Sequence, residues 1–221
     1  IAEINLIRKF NKKKIVNGFT TNPSLMRKAG AKNYLDYCKK ILKICKNKPV
    51  SFEVFADDFN NMKHQAYKLN SLGNNVYVKI PVCNSKGKFS GKIIKLLNRE
   101  KIKLNITAVY NAKQTKKILD CLDKKTNVII SIFVGRAGDA GKDPVPEIKK
   151  SVAMSKKFKN VKILWASVRE PYNYTHAKEL ECDIITVPPA IIEKIENFGK
   201  TFQKLTIETV ENFLVDSKKS N

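Results

Sequence analysis

Apolar residues along this chain alternate between two spacings. Runs at 15–21, 50–56, 75–82, 103–109, 127–134, 161–167 and 183–189 are dense in Val, Ile and Phe and read as strands. The segments between them place apolar residues three and four apart and read as helices: Leu35, Cys38, Ile41, Leu42 and Cys45 in one, Phe59, Met62, Ala66 and Leu69 in another. The opening IAEINLIRKF reads as a helix through Ile4, Ile7 and Phe10, and the last segment carries Phe202, Leu205, Val210, Phe213 and Leu214. This regular alternation, with no long polar linker, predicts parallel βα units in a single domain over residues 1–221. A (β/α)₈ TIM barrel or an open doubly wound sheet satisfies it.

The two faces of the strands favour the barrel. Successive strand residues point to opposite sides. In VYVKIPV, Val76, Val78 and Ile80 share one face, and Tyr77 and Lys79 the other. Phe52 and Val54 oppose Ser51, Glu53 and Phe55; Leu104, Ile106 and Ala108 oppose Asn105 and Thr107; Ile130, Ile132 and Val134 oppose Ser131 and Phe133. Gly18, Thr20 and Asn22 share a phase in the first run, and Trp165 and Ser167 in the sixth. One aliphatic face and one face with isolated polar groups suits a barrel wrapped in helices, with a polar site at its mouth. A sheet buried on both sides reads more often as unbroken apolar runs. The barrel places Lys79, Glu53, Asn105, Thr107, Ser131 and Ser167 in one interior. Only seven strands are found, so an eighth is expected before residue 1, with strand 1 missing from this chain.

Composition changes this picture little. The net charge of +23 is carried almost wholly by lysines spread along the chain, with only five arginines. No arginine cluster or aromatic platform accompanies it, so the reading is a solvated basic surface rather than specific nucleic-acid recognition. No apolar run is long enough to span a bilayer, so no membrane partner is expected. The five cysteines are scattered without a CxxC pair, which predicts reduced thiols in a cytoplasmic protein. His64 and His176 both fall in helical segments, which argues against a histidine-rich metal site.

Lys79 carries the sharpest chemistry. A lysine amine shielded from water can attack a carbonyl to form a Schiff base, whose iminium withdraws electrons from a neighbouring carbon–carbon bond. The alternatives are a strand-end lysine reaching solvent, or one paired with Glu53. Arg136 and Arg169 each follow a strand end, where they suit a phosphate with Ser167 as a further donor, or form a salt-bridged rim. Gly135, Gly138 and Gly141 in GRAGDAGKDPVP form either a phosphate-cradling loop or a plain loop before a helix.

GFTTNPSL (18–25), SFEVFAD (51–57), VYVKIP (76–81), LNITAVY (104–110), SIFVGR (131–136) and WASVRE (165–170) together resemble the successive barrel motifs of the transaldolase family, including its small fructose-6-phosphate aldolase branch. The resemblance implies a Schiff-base barrel that moves a dihydroxyacetone unit between phosphorylated ketoses and aldoses, in carbohydrate metabolism of the pentose phosphate kind. It implies Lys79 as the covalent residue and no cofactor or metal. Asn22 would hold substrate hydroxyls, Glu53 and Thr107 would position a proton-transferring water, and Asn105, Ser131 and Phe133 would contact substrate. Arg136, Ser167 and Arg169 would bind phosphate. Glu53 and Phe133 are the transaldolase choices where the aldolase branch has glutamine and tyrosine. The family also carries an aspartate acid/base on its first strand, which no residue of this sequence matches; a silent sugar-phosphate-binding homologue is therefore the competing expectation. A homo-oligomer is expected as well, with Phe202, Leu205, Phe213 and Leu214 packing across subunits or closing the bottom of a monomer.

Overall fold

The computed structural model describes residues 1–219. The chain opens with α1 (Ile4–Asn11), β1 (Phe19–Thr20), α2 (Pro23–Lys28), α3 (Tyr34–Ile44), β2 (Val50–Glu53) and α4 (Phe59–Asn70). It continues through β3 (Val76–Pro81), α5 (Gly91–Arg99), β4 (Leu104–Val109), α6 (Ala112–Leu119) and β5 (Val128–Phe133). Then follow α7 (Val134–Asp139), α8 (Val145–Ser155), β6 (Val161–Ala166), α9 (Asn173–Glu179), β7 (Ile184–Ile185), α10 (Pro189–Ile195) and α11 (Phe202–Lys219). Helix starts follow the capping chemistry of the sequence: Asn22, Asn33, Asp58 and Asn111 each accept a backbone N–H of the turn they begin.

Among the described residues there are seven strands, all parallel and paired in sequence order, β1 to β7. The sheet curls until its edges meet at one point, where the hydroxyls of Thr20 and Thr186 lie 2.9 Å apart. This is an α/β fold of the TIM-barrel kind with seven strands and an open seam between β1 and β7. A cavity of about 700 Å³ follows that seam, lined by Ile15, Val16 and Phe19 on one side and Leu164, Ile184 and Val187 on the other. The seam strands are the shortest. Residues 15–18 and 186–188, expected as strand, have no regular ladder, because each edge strand has a partner on one side only.

The aliphatic face of the strands packs beneath the helices, with Val78, Ile80, Ile106, Ile130 and Ile163 fully buried against α-helical residues such as Ile41, Met62, Leu97 and Ile148. Inside the barrel, Ile129, Leu164 and Ala166 form a separate apolar layer with Tyr77, Phe133 and Ile184. Two strand phases depart from simple alternation. In β4 an extra residue enters between Ile106 and Val109, with Ala108 at φ 59°; Val109, not Ala108, continues the buried aliphatic face. In β6, Trp165 lies in the outer core with its ring 6.3 Å from His176 of α9, while Leu164 and Ala166 face inward. Trp165 is therefore not an interior group. Its size is accommodated under a helix, not in the crowded barrel.

Among the described residues no helix is long and apolar enough to cross a membrane. The terminal α11 buries none of its residues: Phe202, Leu205, Val210, Phe213 and Leu214 are all exposed.

Candidate active site at the mouth of the barrel

Lys79 enters the interior from β3, directly beside Glu53 of β2 in the strand register. Its amine lies 3.1 Å from Glu53 Oε2 and 3.4 Å from the Thr21 carbonyl, which it reaches as a donor. Only 9% of the Lys79 side chain and 18% of that of Glu53 is exposed. A cation taken this far from water needs both partners. The pairing with Glu53 allowed by the sequence is thus present, and it places a proton acceptor in contact with the amine.

Below this pair runs a belt of polar side chains across three strands. Asn105 donates through Nδ2 to Ser51 Oγ at 3.0 Å, and Ser131 donates to Asn105 Oδ1 at 2.7 Å. All three are buried, and both ends of the Asn105 amide are fixed by neighbours. Thr107 stands in register with Pro81, the second residue after Lys79, and its hydroxyl is buried without a hydrogen-bond partner. A buried hydroxyl left unmet costs about 1–3 kcal/mol.

Asn22 sits at the end of β1, but its Oδ1 accepts the Leu25 N–H at 2.8 Å as the cap of α2. Phe133 closes the β5 side, with Tyr110 5.9 Å away and the Arg136 guanidinium 5.5 Å over its ring.

The expected phosphate group divides. Arg136 and Arg169 are both exposed at the rim, on α7 and after β6. Arg169, however, is engaged by Asp139: its Nε donates to both carboxylate oxygens at 3.1 and 3.0 Å. Arg169, first as a hydrogen-bond donor, holds the Asp139 carboxyl below the usual carboxylate range, with Arg136 adding a weaker pull. The salt-bridged rim is therefore present at Arg169. Asp139 was not foreseen because its partner lies thirty residues away. Ser167 takes a left-handed backbone at φ 65°. Its carbonyl oxygen lies where a side chain on Gly135 would begin, 1.7 Å from the Cβ position. Instead of a glycine-rich cradle, residues 134–139 form the short helix α7, tucked against that carbonyl.

The lining of the seam cavity does not include Lys79 or Glu53. Among the described residues no group of three or more His, Cys, Asp or Glu could hold a metal ion. Burial pushes the Cys38 thiol up to about 12 and makes it a poor nucleophile.

The whole chain, residues 1–221, matches the family model described as Transaldolase/Fructose-6-phosphate aldolase. A protein of Nitrosopumilus maritimus named "Probable transaldolase" is 34% identical, with 94% of each chain covered. Proteins of the same name from Thermoplasma volcanium and Bdellovibrio bacteriovorus are 35% and 33% identical, covering 93% and 99% of this chain and 87% and 95% of their own.

Proposed function

The chain belongs to the transaldolase/fructose-6-phosphate aldolase family, and from that premise we propose that it transfers a dihydroxyacetone unit between sugar phosphates through a Schiff base on Lys79. The observation that carries this reading is the buried amine of Lys79, 3.1 Å from Glu53 Oε2, below a barrel mouth whose Thr107 hydroxyl has no partner.

Glu53 takes a proton from the Lys79 ammonium, and the free amine attacks the ketose carbonyl at C2. Loss of water gives an iminium. The C3–C4 bond then breaks, its electron pair moving into the iminium as the C4 hydroxyl proton passes to the water held by Glu53 and Thr107, which yields an enamine and an aldose. Attack of the enamine on a second aldehyde and hydrolysis of the new iminium return the free amine. Glu53 and Thr107 hold the water that carries protons, and Asn22, Asn105, Ser131 and Phe133 shape the space for the three-carbon unit. Arg136, Arg169 and Ser167 receive the phosphate, which displaces Asp139 from Arg169. Glu53 and Phe133, the residues of the transfer branch, favour passage to an acceptor over simple aldol cleavage.

The five free thiols fit a reducing, cytoplasmic setting. The unburied apolar residues of α11 favour self-association into a homo-oligomer, which sedimentation of the protein with and without residues 202–219 tests.

Incubation with fructose 6-phosphate, reduction with borohydride and peptide mass spectrometry test the chemistry. A three-carbon or ketose adduct on Lys79 is expected; an unmodified Lys79 overturns the reading.

A further inference from the structure

The ladder between β1 and β2 stops just where Glu53 needs it. Backbone groups of Pro49, Ser51 and Glu53 face β1: Phe19 N–H donates to Pro49 O at 2.9 Å, and Thr21 N–H to Ser51 O at 3.0 Å. The next rung falls at Glu53, but Asn22 has already turned away as the cap of α2, and Pro23 has no N–H to offer. Glu53 would then present two unmet backbone groups to the side that β1 has left.

Tyr34, the first residue of α3, supplies both partners. Its hydroxyl donates to Glu53 O at 2.9 Å and accepts the Glu53 N–H at 3.1 Å. The ring is held edge-on to Phe55 at 4.2 Å, and α3 is anchored by its Asn33 cap. On the other side of β2, Val54 N–H donates to Lys79 O at 3.1 Å. The backbone carrying the Glu53 carboxylate is thus gripped from both edges.

The substitution of a hydroxyl for a strand rung has a second effect. In a continued parallel ladder the Thr21 carbonyl would accept the Glu53 N–H. Because Tyr34 takes that N–H, the Thr21 carbonyl is open to the Lys79 amine, which donates to it at 3.4 Å. One side chain therefore sets the position of the carboxylate and frees the acceptor that orients the amine. Burial pushes the Tyr34 phenol far up, so it remains a donor at any working pH.

We propose that Tyr34 is a positioning residue for the Schiff-base reaction, acting through the backbone of Glu53 and the Thr21 carbonyl; this rests on the role given above to Lys79 and Glu53. Its removal misplaces the proton acceptor while leaving the substrate contacts intact.

The test is a double-mutant cycle with Tyr34→Phe and Glu53→Gln, read as kcat and KM for fructose 6-phosphate and as the rate of borohydride trapping on Lys79. Tyr34→Phe should lower kcat and the trapping rate about 10- to 100-fold with KM changed less than about 2-fold. In the Glu53→Gln background the same change should cost several-fold less, because only the route through the Thr21 carbonyl to the Lys79 amine remains. Equal losses in both backgrounds, or an unchanged kcat in folded Tyr34→Phe, overturn the proposal. Should Tyr34→Phe fail to fold, hydrogen exchange on the unsubstituted protein decides. A Glu53 amide protected like that of Thr21 supports the bond to Tyr34, and one exchanging like a loop amide overturns it. If the unsubstituted protein gives no Lys79 adduct, the reading of the site fails and this proposal with it. An adduct that Tyr34→Phe leaves unaffected removes only the proposal.

Discussion

Lys79–Glu53 and Arg169–Asp139 join the same kinds of charge, a few residues beyond or within strand ends, yet their surroundings differ in kind. The first pair is held in the interior, with 9% and 18% of its side chains exposed, and each partner is also fixed through the backbone of its strand. The second lies on the rim with 49% and 52% exposed. Water competes for an exposed pair and salt screens it, so such a pair exchanges partners readily and adds little to stability. A buried pair cannot do so; removing one member strands the other charge away from water. The lesson is a division of labour. In the proposed function, the fixed pair suits bond-making, where geometry must not drift, and the exchangeable pair suits a phosphate that arrives and departs.

The comparison breaks most visibly at Lys79. Lys79→Met should abolish the borohydride-trapped adduct and lower turnover by at least about 10³-fold, as loss of a covalent nucleophile does. Glu53→Gln should keep the adduct detectable but slow its formation about 10²-fold, which stopped reduction at timed intervals measures.

Substitutions on the rim should behave otherwise. Arg169→Gln is expected to raise KM for the phosphorylated donor about 10-fold, with dihydroxyacetone kinetics unchanged. Asp139→Asn is expected to act in the opposite direction and lower that KM about 2- to 3-fold, by leaving Arg169 unpaired before phosphate arrives. A higher KM in Asp139→Asn would show that the carboxylate orients the guanidinium for phosphate instead of competing with it. The smallest effect is on titration. Asp139 is held low in the folded state, so its pairing is complete above the ordinary carboxylate range and is lost only as pH falls through the depressed value. Carboxyl NMR should find Asp139 titrating below the ordinary carboxylate range, and moving back up in Arg169→Gln.

What was legible in the sequence follows the range of the interactions. The seven strands were locatable because each is a dense apolar run, and the common interior of Lys79, Glu53, Asn105 and Ser131 followed from a period of two. The β4 extra residue was not, since nothing in LNITAV distinguishes Ala108 at a positive φ from a regular strand residue. Trp165 and Ser167 share a phase in the sequence, but the left-handed backbone at Ser167 breaks it, and the indole packs under α9. Tyr34 and Asp139 reach partners 19 and 30 residues distant, which only the folded curvature brings together. Asn22 shows a third limit: its Oδ1 is engaged as the cap of α2, which the TTNP motif, read for substrate contact, did not reveal.

The missing side chain of Gly135 extends this contrast to engineering. Because no Cβ stands between it and the Ser167 carbonyl, the turn after β5 rests directly on the turn after β6. Even alanine would drive the two turns apart, and with them Arg136 and Arg169. The span of the rim is therefore set by a clearance and not by a bond. Libraries aimed at changing what the rim binds should vary the arginines' neighbours and leave that one position alone, because it is the gauge against which both cations are spaced.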